Sequence, residues 1–415
     1  MNVPDGPEDE PRQVHVETAS QVQSGAAEGL SSRQEHLRRL ELERLLLRTN
    51  GRDPRHILAV LLCPIGDTLL ATPALAALRR RFPDARITAV VSDKNADILD
   101  DNPDISDRIV LPPPGTAPTA LRFAAGVHDL RQQAEGCDVA FCFSAASSFT
   151  ILAAGLGCPE FHVPMPSLWW LAGSRSESYR ERHTIDQFLL ALWPAVELPQ
   201  DPEARVPRLH LTLKDRSAAR RLLREHGISP SHVLVTMHVG AEGFDGRKQW
   251  APERFAEVAN ALIERFDARV LLIGGGSDLP LVHETARLIP EGATILAGKA
   301  SLKVSGALIE HSTLFIGNDS APLHMAAAAG TPAVGIFGPS DWNQFHPIGK
   351  PGYAHRVVHS DLPCSPCFHF LGNDPPWVHN LCYTRACLKA IAPQQVLDAA
   401  VTLLAARAES SNVRL

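Results

Sequence analysis

Two turns marked by glycine carry the residues best suited to chemistry. One is Phe315-Ile316-Gly317-Asn318-Asp319-Ser320-Ala321-Pro322-Leu323-His324, which runs through Met325 to Ala329 and stops at Gly330-Thr331-Pro332. It reads as a buried strand, a polar turn and a small-residue helix. The first turn of a helix offers unpaired N–H groups and the positive end of the macrodipole, and Ser320 and His324 can aim donors at the same point, so a phosphate would fit there. The plainer alternative is that Asp319 or Ser320 caps a core helix. The other turn is Cys63-Pro64-Ile65-Gly66-Asp67-Thr68, between the apolar run His56 to Leu62 and a helical pattern over Leu69 to Arg81. A carboxylate on such a turn can take a proton from an acceptor hydroxyl, or it can simply cap the helix.

Further segments join the first turn. His238-Val239-Gly240-Ala241, with Arg247-Lys248-Gln249-Trp250 close behind, can hold a phosphate through backbone donors and a point charge, or can be a solvated loop. Gly274-Gly275-Gly276-Ser277-Asp278 allows a close backbone approach but is also what any tight turn requires. If all three line one edge of a parallel sheet, a nucleotide diphosphate across that edge accounts for them together. Cys364, Cys367, Cys382 and Cys387 have the spacing of a structural tetrathiolate site for zinc or iron, while buried free thiols would give the same letters; His369 and His379 read as solvated loop residues.

These residues need a scaffold to position them. A chain of 415 residues suggests about two domains, and 45% hydrophobic with 21% charged residues is a globular composition. The formal net charge of -6 leaves no broad electrostatic footprint for nucleic acid. Neither a signal peptide nor a long apolar run is present, so a cytoplasmic protein is expected, with its eight cysteines as thiols or metal ligands rather than disulfides.

Residues 1–32 read as a disordered extension and 33–50 as an amphipathic helix, either packed on the adjacent domain or serving as a membrane-surface or oligomer contact. Residues 51–200 and 201–392 each alternate strand and helix. The first series has strands at Ile87 to Ser92, Val110 to Pro112 and Val139 to Phe143, and helices over Ala120 to Gln133 and Ile185 to Val196. A proline-rich linker over Pro199 to Pro207 follows, and the second series ends in the Cys-rich loop 364–387. A helix and tail over 393–415 close the chain. This predicts an α/β protein with two doubly wound, Rossmann-like domains facing across a cleft.

Ile65-Gly66-Asp67-Thr68-Leu69-Leu70-Ala71-Thr72-Pro73, with Phe82-Pro83-Asp84-Ala85-Arg86-Ile87, closely resembles the amino-terminal signature of glycosyltransferase family 9, the ADP-heptose lipopolysaccharide heptosyltransferases. Lys248-Gln249-Trp250 with Phe255, and Gly317 to His324, resemble its carboxyl-domain signatures. The resemblance covers about residues 55 to 404 and implies a GT-B fold, inverting transfer of heptose from ADP-heptose to a lipopolysaccharide core acceptor, and no catalytic metal. By that match Asp67 is the general base, and Lys248 with the Ser320–His324 turn, Ala321 included, holds the diphosphate. Asp319 then contacts the sugar, and Gly240 with Ala241 approaches the phosphates through backbone. The enzyme would work in the cytoplasm, in peripheral contact with the inner membrane. Some protein-directed members resemble this chain in having a cysteine finger that holds iron, so transfer to a protein or another glycan is the alternative; a non-catalytic nucleotide-binding scaffold is a third reading. Two departures stand out: Cys63-Pro64-Ile65 replaces the arginine many members carry before Gly-Asp, and Ala321-Pro322 stands where Gly-Leu is common.

Overall fold

The computed structural model describes residues 52–111, 132, 136–143, 158, 182–192, 195–196, 199–241, 246–367, 382 and 384–408, together with the backbone of 14–18, 161–162 and 409–411. The first strand, β1 (Val14–Thr18), belongs to the second of two sheets. The first sheet comprises β2 (His56–Leu61), β3 (Arg86–Ser92), β4 (Asp107–Leu111), β5 (Val139–Cys142) and β6 (Phe161–His162), all parallel in the order β4-β3-β2-β5-β6. Every residue of central strand β2 is buried, which is why its sequence runs continuously apolar instead of alternating.

After β2 come two short helices, α1 (Ile65–Leu70) and α2 (Thr72–Arg81), the second restarted by Pro73 in its first turn. Asn95 braces the turn between β2 and α1: its amide nitrogen lies 2.8 Å from Leu61 O and 2.9 Å from Cys63 O, while its Oδ1 accepts from Ser92 N at 2.7 Å. Helix α3 (Thr184–Ala191) packs on α1 and α2, and Phe188 meets Phe143 edge to face at 5.7 Å.

The second domain opens with α4 (Leu213–Glu225), started by a reciprocal capping box between Thr212 and Asp215. Then follow β7 (Leu234–His238), α5 (Pro252–Phe266), β8 (Arg269–Ile273), α6 (Leu279–Arg287), β9 (Thr294–Ile295), α7 (Leu302–Glu310), β10 (Leu314–Asn318), α8 (Ala321–Ala329), β11 (Ala333–Ile336), α9 (Trp342–Phe345), β12 (His355–Ser360), α10 (Ala386–Ala390) and α11 (Pro393–Ser411). The sheet order is β1-β12-β11-β10-β7-β8-β9, parallel except that β1 pairs antiparallel with β12 from Val14↔Ser360 to Thr18↔Arg356. One apolar cluster runs from Ile57, Leu69 and Phe188 of the first domain into Leu308, Leu323 and Met325 of the second, so the domains share a core on this side. The opposite face of the second sheet is filled by Met237, Trp250, Phe255, Ile316, Val396 and Leu403. Polar ties cross the junction too: Arg208 N donates to Thr72 Oγ1 at 2.8 Å, Lys303 Nζ to Asp100 O at 2.6 Å, and His183 Nε2 to His346 O at 2.9 Å.

The structure departs from the sequence expectations at several points. Residues 14–18, expected within a disordered extension, form an edge strand: Val14, Val16 and Thr18 are β-branched, and the free edge of β12 supplies the hydrogen-bond partners that the segment lacks alone. Cys137 and Cys158, expected as thiols, form a disulfide because parallel neighbours β5 and β6 bring the two chain segments side by side, with Cα atoms 5.3 Å apart. Strand β12 leaves no apolar run in the sequence because His355 and His359, both buried, interrupt its apolar residues. The helix expected over 33–50 lies outside the described residues, as does nearly all of that over 120–133, along with His369 and His379. Among the described residues no helix is long and apolar enough to cross a membrane.

Candidate active site

Helices α1 and α8 present their first turns to each other at the junction of the domains. A methyl group placed on Gly66 would stand 3.5 Å from both Ala321 Cα and His324 Cδ2, so the two turns are in near contact. Neither turn is closed by a side-chain cap. The residue preceding α1 is Pro64, and Asp67 makes no capping bond; Ser320 precedes α8 and does not cap it either. The capping alternatives for Asp67, Asp319 and Ser320 therefore lose their basis, and Asp319 and Ser320 have other partners.

Asp319 is buried and its Oδ2 accepts from Lys248 Nζ at 2.7 Å. Burial by itself would raise this carboxyl; the Lys248 ammonium, helped by His324, holds it below the usual carboxylate range. Lys248 also stands over the Phe345 ring, 5.6 Å from its centroid. Asp67 is half-buried and lacks such a hydrogen-bonded cation. Burial pushes its pKa up to about 7, with Lys248 opposing the rise and Asp319 adding to it. Burial takes the His324 imidazole down to about 4, against the pull of Asp319; its Nε2 lies 3.9 Å from Asp319 Oδ1 and its buried Nδ1 has no hydrogen-bond partner. His324 is thus a neutral ring under Gly66, able to donate one N–H to a ligand. Pro322 has no N–H, and Leu323 N–H already donates to Ser320 O at 3.0 Å; the Ser320 and Ala321 N–H groups stand ahead of them at this helix start.

Behind these groups stands a frame that the sequence did not single out. Asn318, fully buried, accepts from Trp250 N at 3.0 Å and donates to Val239 O and Gly240 O at 3.0 and 3.1 Å, tying the ends of β7 and β10 to the loop carrying Lys248. His238 lies between Ser320 Oγ, 3.0 Å from its Nδ1, and Asp278 Oδ2, 3.3 Å from its Nε2. Asp278 also accepts from Gly275 N at 2.8 Å. Gly240 gains a structural reason for its identity, because a methyl group there would fall 1.9 Å from Asp278 Oδ1. Ala241 is buried beside it, and its carbonyl accepts from Gln249 Nε2 at 3.3 Å. Three strand ends bearing glycine or a small residue had marked this edge in the sequence; the bonds among them depend on a register that only the sheet supplies.

The cysteine segment lies behind the site. Ser365 Oγ donates to Gly338 O at 2.7 Å and Cys367 N to Pro339 O at 2.9 Å, while Cys387 is buried at the start of α10. Burial raises the Cys387 thiol to about 11, and Cys367, Cys382 and Cys364 add to the rise. Among the described residues, however, no three His, Cys, Asp or Glu side chains converge where a metal ion would be held. Cys364 and Cys367 follow a turn anchored to 338–339, and Cys387 lies on α10. A separate cavity of about 400 Å³ at the domain junction, lined by Asp100, Asp101, Thr212, Lys214 and Lys303 among others, shares no residue with the cleft.

Two parallel α/β domains meeting at the carboxyl ends of their strands, with a lone carboxylate on one wall and a cation beside a helix start on the other, make up the GT-B glycosyltransferase architecture. The glycosyltransferase family 9 (heptosyltransferase) pattern matches residues 157–377, more than half of the chain, and the protein belongs to that family. It is 28% identical to lipopolysaccharide heptosyltransferase 3 of Escherichia coli over 66% of this chain and 81% of that one. With lipooligosaccharide heptosyltransferase 2 of Campylobacter jejuni subsp. jejuni the identity is 25%, over 82% of this chain and 95% of the other. The fold is similar to that of the E. coli ADP-heptose lps heptosyltransferase II, with a TM-score of 0.64 at 20% identity, covering 85% of this chain and 99% of that structure.

Proposed function

We propose that this heptosyltransferase moves heptose from ADP-heptose to a lipopolysaccharide core acceptor at the cytoplasmic face of the inner membrane, by one direct displacement that inverts the anomeric centre. The observation that carries this reading is the placement of Asp67, a half-buried carboxyl with no capping role and a pKa raised to about 7, next to Gly66, whose position lies against Ala321 and His324 of α8. The names of the relatives support the donor and the acceptor.

In this mechanism the acceptor hydroxyl gives its proton to Asp67 as its oxygen bonds to the anomeric carbon, and the carbon–oxygen bond to ADP breaks on the opposite side. A base poised near neutrality is half ionised at working pH and still basic enough to take that proton. Negative charge grows on the departing diphosphate. Lys248, paired with Asp319, meets it together with the Ser320 and Ala321 N–H groups and the start of α8. Asp319, held ionised, accepts from a heptose hydroxyl. His324 adds one neutral donor, and Gly240 and Ala241 line the approach through backbone.

The test is to incubate the purified protein with ADP-heptose, UDP-sugars and GDP-sugars separately, with and without a heptose-deficient lipopolysaccharide core. Acceptor-dependent nucleotide release from ADP-heptose alone is expected. Release from a UDP- or GDP-sugar without release from ADP-heptose would overturn the donor, and release only with a protein acceptor would overturn the lipopolysaccharide reading.

A further inference from the structure

His238 ends β7 in a fully buried strand, and its side chain links the end of that strand to the loops carrying Ser320 and Asp278. Its hydrogen-bond partners are Ser320 Oγ at Nδ1 and Asp278 Oδ2 at Nε2. A carboxylate only accepts, so Nε2 carries a hydrogen and the tautomer is set by Asp278. Asp278 is itself pinned by the Gly275 N–H and has the room to stand there because position 240 lacks a side chain.

Ser320 has one hydroxyl hydrogen and three places to send it: His238 Nδ1 at 3.0 Å, the Asn318 carbonyl at 3.1 Å, or a ligand in the cleft. A phosphate oxygen only accepts. For Ser320 to hold one, its hydrogen must turn to the ligand and Nδ1 must be the donor to Oγ, with Asp278 facing the other ring nitrogen.

We infer that His238 is a positioning residue that acts through Ser320, with Asp278 behind it, to turn the serine hydroxyl onto the diphosphate of the nucleotide donor. The order is not that of a nucleophilic triad, since no group here removes the serine proton for attack; the serine remains a donor throughout. This inference rests on the reading that the diphosphate lies against Ser320, and the experiment separates the two.

ADP affinity by calorimetry and donor KM with kcat are measured for the wild type, Ser320→Ala, His238→Gln, and the double variant. A glutamine amide can reach the position of Nε2 and keep the Asp278 contact while abandoning Ser320. Both single variants are expected to weaken ADP binding and raise donor KM by about tenfold, the loss of one hydrogen bond to a charged group. The double variant is expected to be no weaker than Ser320→Ala, because His238 acts only through that hydroxyl. His238→Asn, whose amide falls near Nδ1, should restore binding to within about threefold of wild type, a rescue that a purely structural role would not produce.

Additive losses, or an asparagine variant as weak as the glutamine one, would overturn the inference and leave the diphosphate reading standing. If Ser320→Ala binds ADP as tightly as wild type, the diphosphate reading itself fails. Should His238→Gln not fold, His238→Asn alone decides: wild-type-like ADP binding supports the positioning role, and a tenfold loss removes it.

Discussion

Asp67 and Asp319 both stand where a strand leads into a helix, Asp67 within the first turn of α1 and Asp319 just ahead of α8, and the two helix starts meet across the domain junction. Both carboxyls are lifted by burial. Asp319 has an ammonium at 2.7 Å and ends below the usual carboxylate range; Asp67 feels the same ammonium without a hydrogen bond to it and ends near 7. One lysine, asymmetrically placed, makes one aspartate a fixed anion and the other a group that can exchange a proton. Desolvation raises both, and the hydrogen-bonded cation decides which stays anionic.

Removing the exchangeable carboxyl should have the largest effect. Asp67→Asn is expected to lower kcat by about 10²- to 10⁴-fold in the ADP-release assay while ADP affinity holds. The same variant should be more stable than wild type above pH 7. The folded-state pKa of Asp67 is raised, so the native state binds more protons than the unfolded chain between the ordinary carboxyl value and about 7, and stability falls as pH rises through that window. Relief of that cost, about 1 to 2 kcal/mol once solvent screening is counted, would appear as a higher melting temperature at pH 8 and no gain at pH 3.

Taking away the cation attacks the asymmetry from the other side. Lys248→Met leaves Asp319 buried without its partner, a loss of about 3–5 kcal/mol near neutral pH by chemical denaturation. Asp319 has a depressed pKa, so its stabilisation is present above the ordinary carboxyl value and lost as pH falls through the folded one; the gap between Lys248→Met and wild type should therefore close at low pH. In the wild type, kcat/KM should rise with pH through about 7 as Asp67 ionises, and a profile flat from pH 5 to 9 would remove Asp67 as the base.

Two glycines give the smallest effects and the sharpest contrast. Gly240→Ala forces a methyl onto the pinned Asp278 carboxylate and should cost about 1–3 kcal/mol in melting experiments. Gly66→Ala meets Ala321 and His324 at ordinary van der Waals distance and should change stability by no more than about 0.5 kcal/mol.

Much of the scaffold was legible without coordinates. The helix over Pro252–Phe266 and the strand over Arg269–Ile273 stand where their periodicity put them, since a buried parallel strand and an amphipathic helix each leave a pattern that survives any packing. Strand β12 left no such pattern because His355 and His359 occupy buried positions. In the candidate site, Asp67, Lys248, Asp319 and Ser320 could be picked from turn chemistry and family signatures. His238 had been seen only as part of a glycine segment, and Asn318 and Asp278 only as turn letters, because their value lies in partners 40 to 82 positions away along the chain.

The amino-acid sequence by itself determined the two alternating series of strands and helices, the turns that end them and the residue types those turns carry, since these follow from local periodicity, glycine placement and helix-start chemistry. Tertiary structure alone decided that two aspartates with equal intrinsic acidity would part company. That outcome depends on which of them comes within 2.7 Å of Lys248 and how much water each keeps, and the folding of both domains around a shared core sets those two quantities.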